Sequence, residues 1–251
     1  MLEQYGVDAT DRSIAMSMKL PYLFSYRDGV YMAGPMLQSA EWFNLFLHPI
    51  GFKMIEKEIP AAQVPAYLKQ QKTAMLGLQV DEDSKHAVVY IGTQGCKLMF
   101  LNSKWEYDPA PAQLMLTETE LLNRIGSSSM VATLMQIDPE PANPHRCMEE
   151  SIPTLQKNLA EIRDVCSTPK AVGVLRSRLN TLFRPLLLDG ITMLELAGET
   201  ELANKFSHIQ AAFLNALRQE PGTTIVLGEY LPMADLESAV DEYIVLIERN
   251  K

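Results

Sequence analysis

The chain has 251 residues, 47% of them apolar, with a formal net charge of −9 and a pI of about 5.0. That much apolar sequence fills one large core or two modest ones and excludes disorder. The acidic balance excludes a general nucleic-acid binder, which needs a phosphate-neutralising basic surface, but leaves room for a small basic substrate.

No apolar stretch reaches the ~18 residues that a membrane helix requires, so no membrane partner is expected. The first residues include Glu3 and Asp8 and lack a basic leader with an apolar segment behind it. Cys96, Cys147 and Cys166 are odd in number and widely spaced. They form neither a disulfide framework nor a ligand set, and a reducing cytoplasm is expected.

In chain order, Leu2–Val7 reads as the end of a helix stopped by Gly6. Asp8 or Thr10 caps a helix over Asp11–Lys19, which Pro21 ends. Pro21–Pro35 mixes Tyr22, Phe24, Tyr26 and Tyr31 with Gly29 and Gly34 and reads as an irregular loop. Met36–Leu47 has helical spacing, and His48-Pro49 closes it. Gly51–Lys57 is a short strand and Pro60–Gln71 a helix.

Three strands follow, at Thr73–Val80, His86–Gly92 and Cys96–Ser103, the last two joined by the Gly-containing turn Thr93-Gln94-Gly95. Tyr107–Pro111 is a loop. Thr117 and Glu120 form a capping box for a short helix that ends at Gly126. Val131–Ile137 is a further strand that closes the sheet. Asp138–His145 carries three prolines and no apolar anchor, so the domain boundary is placed there.

The remainder is helical. Ile152, Leu155, Leu159, Ile162 and Cys166 recur by three and four, which makes Cys166 a core position. Thr168-Pro169 reads as an N-cap and first helical residue. Pro185 and Gly190 break or kink the next helix, and Gly198 separates it from Leu202–Arg218. Pro221–Leu231 is a loop or short strand, and Asp235–Glu248 closes the chain as a helix. The expected architecture is α+β: a domain over residues 1–137 with a small antiparallel sheet, and a helical domain over residues 146–251.

Two polar residues stand out on the strands. His86 opens one and Asn102 closes the next, sixteen residues later. In an antiparallel hairpin these positions share one end of the sheet. A side-chain amide beside an imidazole is what a Cys-His-Asn site uses to fix the ring that takes the nucleophile's proton. His86 reads equally as a core histidine at a strand start, and Asn102 as a turn former.

The HAVVYIG strand (His86–Gly92), the FLNSKWE segment behind it and the acid-rich TETELL segment resemble the papain-like fold. The nearest groups are the C39-like peptidases and the amino-terminal domain of the butirosin-biosynthesis acyltransferase. The resemblance implies a papain-like amino-terminal domain with His86 as general base and Asn102 as its orienter. It also implies a nucleophilic Cys on a first helix ahead of Leu2. No Cys precedes Cys96, so the catalytic set is incomplete and inactivity of the chain as it stands is expected. The stretch from Leu182 to Leu217 is similar to the helical carboxy-terminal region of the butirosin-acyltransferase-like proteins.

Cys96 stands at the other end of the hairpin from His86, Cys147 follows His145 two residues on, and nothing activates Ser13 or Ser17. His48 reads as a helix-end residue and His208 as a boundary residue. No HxxxH, HxH, CxxC, GxxxxGK[ST] or GxGxxG spacing occurs, so neither metal nor cofactor is expected. The functional expectations are a thiol hydrolase or acyltransferase type protein and, as the alternative, a binding or assembly protein. Its partner would be a peptide, acyl carrier or small molecule, and the apolar helix stripes allow a homo-oligomer through the helical domain.

Overall fold

A computed structural model describes residues 1–27, 29–33, 40–79, 85–102, 112–141 and 148–251. A 3₁₀ turn at Leu2–Tyr5 opens the chain. Helix α1 (Asp11–Ser17), strands β1 (Phe24–Arg27) and β2 (Val30–Ala33) and helix α2 (Ala40–Leu47) follow. Next come β3 (Phe52–Pro60), α3 (Val64–Lys69), β4 (Ala74–Gln79), β5 (Lys85–Gln94), β6 (Lys97–Asn102) and β7 (Gln113–Leu116). Helix α4 (Glu118–Leu122) and strand β8 (Ser128–Gln136) complete this run. Then follow α5 (Ser151–Ser167), β9 (Pro169–Ala171), α6 (Val172–Ser177), two π-helical turns at Leu179–Phe183 and Pro185–Asp189, and α7 (Gly190–Ala197). Helix α8 (Thr200–Ala216), strand β10 (Thr224–Val226) and helix α9 (Met233–Arg249) end the chain.

The chain is α+β, as its sequence suggests, and divides into two units. One comprises Met1–Ala9 and Phe46–Ala142, the other Thr10–Leu45 and Asn143–Lys251. Residues 10–45 therefore group with the carboxy-terminal helices, whereas chain order places them with the sheet. One crossing between the units, at Ala142–Asn143, falls inside the proline-rich segment.

The first unit is built on a six-stranded antiparallel sheet of order β3-β8-β4-β5-β6-β7. β8 does not extend the meander at its edge; it inserts between β3 and β4, pairing along the whole of β3. Alternation along the strands gives two faces. One carries Leu76, Leu78, Val88, Tyr90, Leu98, Phe100 and Val131. These pack with Val64 and Leu68 of α3, Leu121 of α4 and Ile125. Burying each such side chain contributes about 1.5–3 kcal/mol. Thr117 and Glu120 make the capping box that fixes the start of α4: Thr117 N donates to Glu120 Oε2 at 2.7 Å and Glu120 N to Thr117 Oγ1 at 3.3 Å.

Among the described residues of this unit, the opposite face is covered at one end, where the Leu2–Tyr5 turn lies. The Tyr5 ring meets Phe52 edge-on at 5.1 Å, and its hydroxyl donates to the Leu134 carbonyl at 3.2 Å. Gly6, at φ 76°, ends that turn in the left-handed region that glycine enters without strain. It is a 3₁₀ turn in place of the expected α-helical end.

In the second unit the core is helical. Leu155, Ile162, Leu175, Leu194, Phe206, Phe213, Leu236, Val240, Tyr243 and Ile247 are all 1% exposed or less. Phe183 and Phe213 stack at 4.5 Å and the Tyr243 hydroxyl donates to the Pro21 carbonyl. Two expectations change here. The aromatic stretch after Pro21 contains a β-hairpin, not an irregular loop. Tyr31 sits inward with its hydroxyl on Glu161 Oε1 at 2.6 Å, and Lys157 lies 3.9 Å from the Tyr26 ring. Thr168-Pro169 does not start a helix, because Pro169–Ala171 pairs with Thr224–Val226 and α6 begins at Val172.

The break at Pro185 and Gly190 takes the form of the two π-helical turns. Arg184, between them, binds Asp189 at 3.0 Å, and Gln210 and Asn158 donate to the carbonyls of Leu187 and Leu182. A Cβ on Gly190 would stand 2.5 Å from the Pro185 carbonyl oxygen, so the turn closes only with glycine there.

Candidate functional site

The hairpin β5–β6 sets the geometry. In its register Val88 lies opposite Asn102 and Tyr90 opposite Phe100. On the other flank of β5, Leu78 lies opposite His86 and Leu76 opposite Val88. Residues opposite one another share a face, and alternate residues along a strand do too. His86, Val88 and Asn102 therefore point to the same face, at the same end of the sheet. His86 and Asn102 are diagonal neighbours, a relation of about 7–8 Å between backbones that long side chains span.

That face is the one packed against α3 and α4. Asn102 is buried, 8% exposed, and its backbone N–H donates to the Ala112 carbonyl at 2.8 Å. His86 is half-buried, at the rim of the apolar core beside Leu78. An imidazole at such a rim keeps one edge in a low-dielectric wall, where a hydrogen bond donated by its ring N–H to an amide oxygen counts for more than in water. Elsewhere in the sheet unit, Gln79 N donates to the Arg124 carbonyl at 2.8 Å and Ala61 N to the Ser127 carbonyl at 2.9 Å.

The cysteines are placed elsewhere. Cys96 is exposed in the turn between β5 and β6. Eight residues of strand at ~3.3 Å each separate His86 from Gln94, roughly 26 Å, and Cys96 lies in the turn just beyond, so proton transfer between His86 and Cys96 is excluded. Cys166 is buried on α5 in the other unit, and burial pushes its thiol up to about 11. It is a core residue, as its spacing suggests. Cys147, His145 and Trp105 lie outside the described residues.

The other candidates have local roles. Ser13 belongs to a capping box with Thr10, accepting from Thr10 N at 2.9 Å. His48 follows α2 with its Nδ1 3.7 Å from Glu140 Oε2, and His208 is exposed on α8. Among the described residues no group of three His, Cys, Asp or Glu side chains is placed to hold a metal ion. No helix of the described residues is long and apolar enough to cross a membrane.

No family model matches the sequence, and no curated protein matches it. Among solved structures the chain is similar to the peptidase domain of Streptococcus ComA, a bi-functional ABC transporter involved in a quorum-sensing pathway. The identity is 10% and the TM-score 0.33, over 52% of this chain and 82% of that one. A likeness at that score does not establish a shared fold.

Proposed function

We propose that the sheet unit is a papain-type module for thiol hydrolysis or acyl transfer, with His86 as general base and Asn102 as the residue that holds its ring. The observation that supports this reading is the placement of the two side chains on one face, at one end, of adjacent strands, with Asn102 buried. Neither Cys96 nor Cys166 is the nucleophile, because one is at the far end of the hairpin and the other is in the second unit's core.

In this reading a thiol from outside the described residues approaches His86. The ring takes the S–H proton as sulfur bonds to an acyl carbonyl carbon. The bond from that carbon to the leaving thiolate then breaks, and His86 returns the proton to the leaving sulfur. Acyl transfer from a model thioester to an added small-molecule thiol tests this without requiring a cysteine of the chain. The protein should accelerate transfer over the uncatalysed exchange. His86→Ala should reduce that acceleration by about 100-fold or more and Asn102→Ala by about 10-fold. Transfer at the background rate, or acceleration that survives His86→Ala, would show that the pair is structural.

A further inference from the structure

The other half of the sheet's second face carries exposed apolar side chains, and no described residue of the unit is placed over it. A bare face normally alternates to polar residues. Here the outward positions of β4, β5, β6, β7 and β8 include Met75, Val89, Met99 and Leu101, Met115, and Met130, beside Gly77, Gln79, Lys85, Ala87, Gln113 and Ala132. Met130 is 54% exposed, Leu101 41% and Met115 39%. The pairs Met75–Val89, Val89–Leu101 and Met99–Met115 face one another across the strands. The six side chains thus form a band that crosses the sheet diagonally, Met130 standing one diagonal step from Met75, whose direct partner on β8 is Ala132.

The two ends of the band differ in charge. Glu58 lies directly opposite Met130, and Glu56, on the same face, is two residues before it. Lys97 lies two residues before Met99, outward and exposed, at the other end. The structure assigns this band to a second copy of the chain: we propose a twofold, face-to-face dimer in which two bands cross antiparallel. A twofold axis lying in the face and perpendicular to the band reverses its ends. It sets Lys97 of each copy over Glu56 and Glu58 of the other, while methionine and leucine fill the middle. Unbranched methionine side chains adapt to such a contact without strict shape complementarity. This proposal is independent of any role of His86 and Asn102, which lie on the opposite face.

A patch of this kind is on the order of 300–600 Å² and falls short of the ~800 Å² per partner of a standard interface, so the dimer is weak. Sedimentation equilibrium of the full chain, at concentrations from about 5 to 500 μM, reads it. The expected result is a monomer–dimer equilibrium with a dissociation constant in the range of about 10–500 μM. Leu101→Glu and Met130→Glu should each give monomer throughout, while Val174→Glu, an exposed position in the helical unit, leaves the equilibrium unchanged. Lys97→Glu should weaken dimerisation several-fold, and adding Glu58→Lys to it should restore most of the loss. Thermal melts of each variant confirm that it is folded. A chain that is monomeric at every concentration, or a dimer that withstands both Leu101→Glu and Met130→Glu, would overturn the proposal.

Discussion

At the scale of single residues, what reads correctly from the sequence is what depends on near neighbours. Thr117 and Glu120 are three apart and satisfy each other's backbone N–H groups, so their motif is complete in four residues. The same contact makes a prediction about pH. The backbone and side chain of Thr117, in that order, donate to Glu120 and hold its carboxyl below the ordinary value of 4.5. A carboxyl depressed in the folded state contributes stability above its unfolded pKa and loses it as pH falls through the folded one. The melting temperature should therefore decline as pH drops below about 4.5, and Glu120→Gln should flatten that part of the profile. An unchanged slope in the variant would mean that the capping carboxylate is not coupled to folding. Asn102 shows the limit of such reading. Its place at a strand end is legible, but its burial depends on tertiary packing, which no local pattern states.

At the scale of elements, the misread segments are those whose partner is distant in sequence. Pro169–Ala171 carries a sound helix-start signal in Thr168-Pro169, and pairing with Thr224–Val226 overrides it. β7 has four residues and no turn signal strong enough to announce it. β8 reads as a strand, but its insertion between β3 and β4 is a matter of pairing across most of the unit. Phe24–Ala33 alternates as a hairpin about Gly29, at φ 82°, and the density of aromatics hides the alternation. Charge also has meaning at this scale. β3 is an edge strand among the described residues, and twofold pairing with a copy must set residues of the same face opposite each other. Every such register of seven or more pairs opposes like charges: Lys53 to Lys57, Glu56 to itself, or Lys57 to itself. The strand is thus protected against edge-to-edge association. Gly190 gives an element-scale prediction. In an ordinary helix interior, Gly→Ala stabilises by about 1 kcal/mol. Here the new Cβ meets the Pro185 carbonyl, so Gly190→Ala should destabilise by about 1–3 kcal/mol in urea unfolding. A stabilised variant would show that the π turn is not a fixed part of the fold.

At the scale of the molecule, the class of fold was legible because apolar periodicity switches from alternation before Ile137 to spacings of three and four after Ser151. The membership of residues 10–45 was not. The chain passes between the units at 9–10, 45–46 and 142–143. Only the last of these carries the proline-rich composition that marks a boundary, while the first two fall where contacts with distant helices decide the matter. The candidate site was legible as two residues at one end of a hairpin. The face they share, and the helices over it, required the register. His86 and Asn102 come to one face only through this tertiary arrangement, and the imidazole itself reports whether they act as one unit. In protein labelled with ¹⁵N-histidine, long-range ¹H–¹⁵N correlation resolves the tautomer of each of the four histidines. In its neutral form His86 should occupy a single tautomer, and Asn102→Ala should convert it to an exchanging mixture of the two. The signals of His48 and His208 should not change. A His86 signal that is already a mixture, or that ignores the loss of Asn102, would contradict the pairing and leave both residues as parts of the sheet.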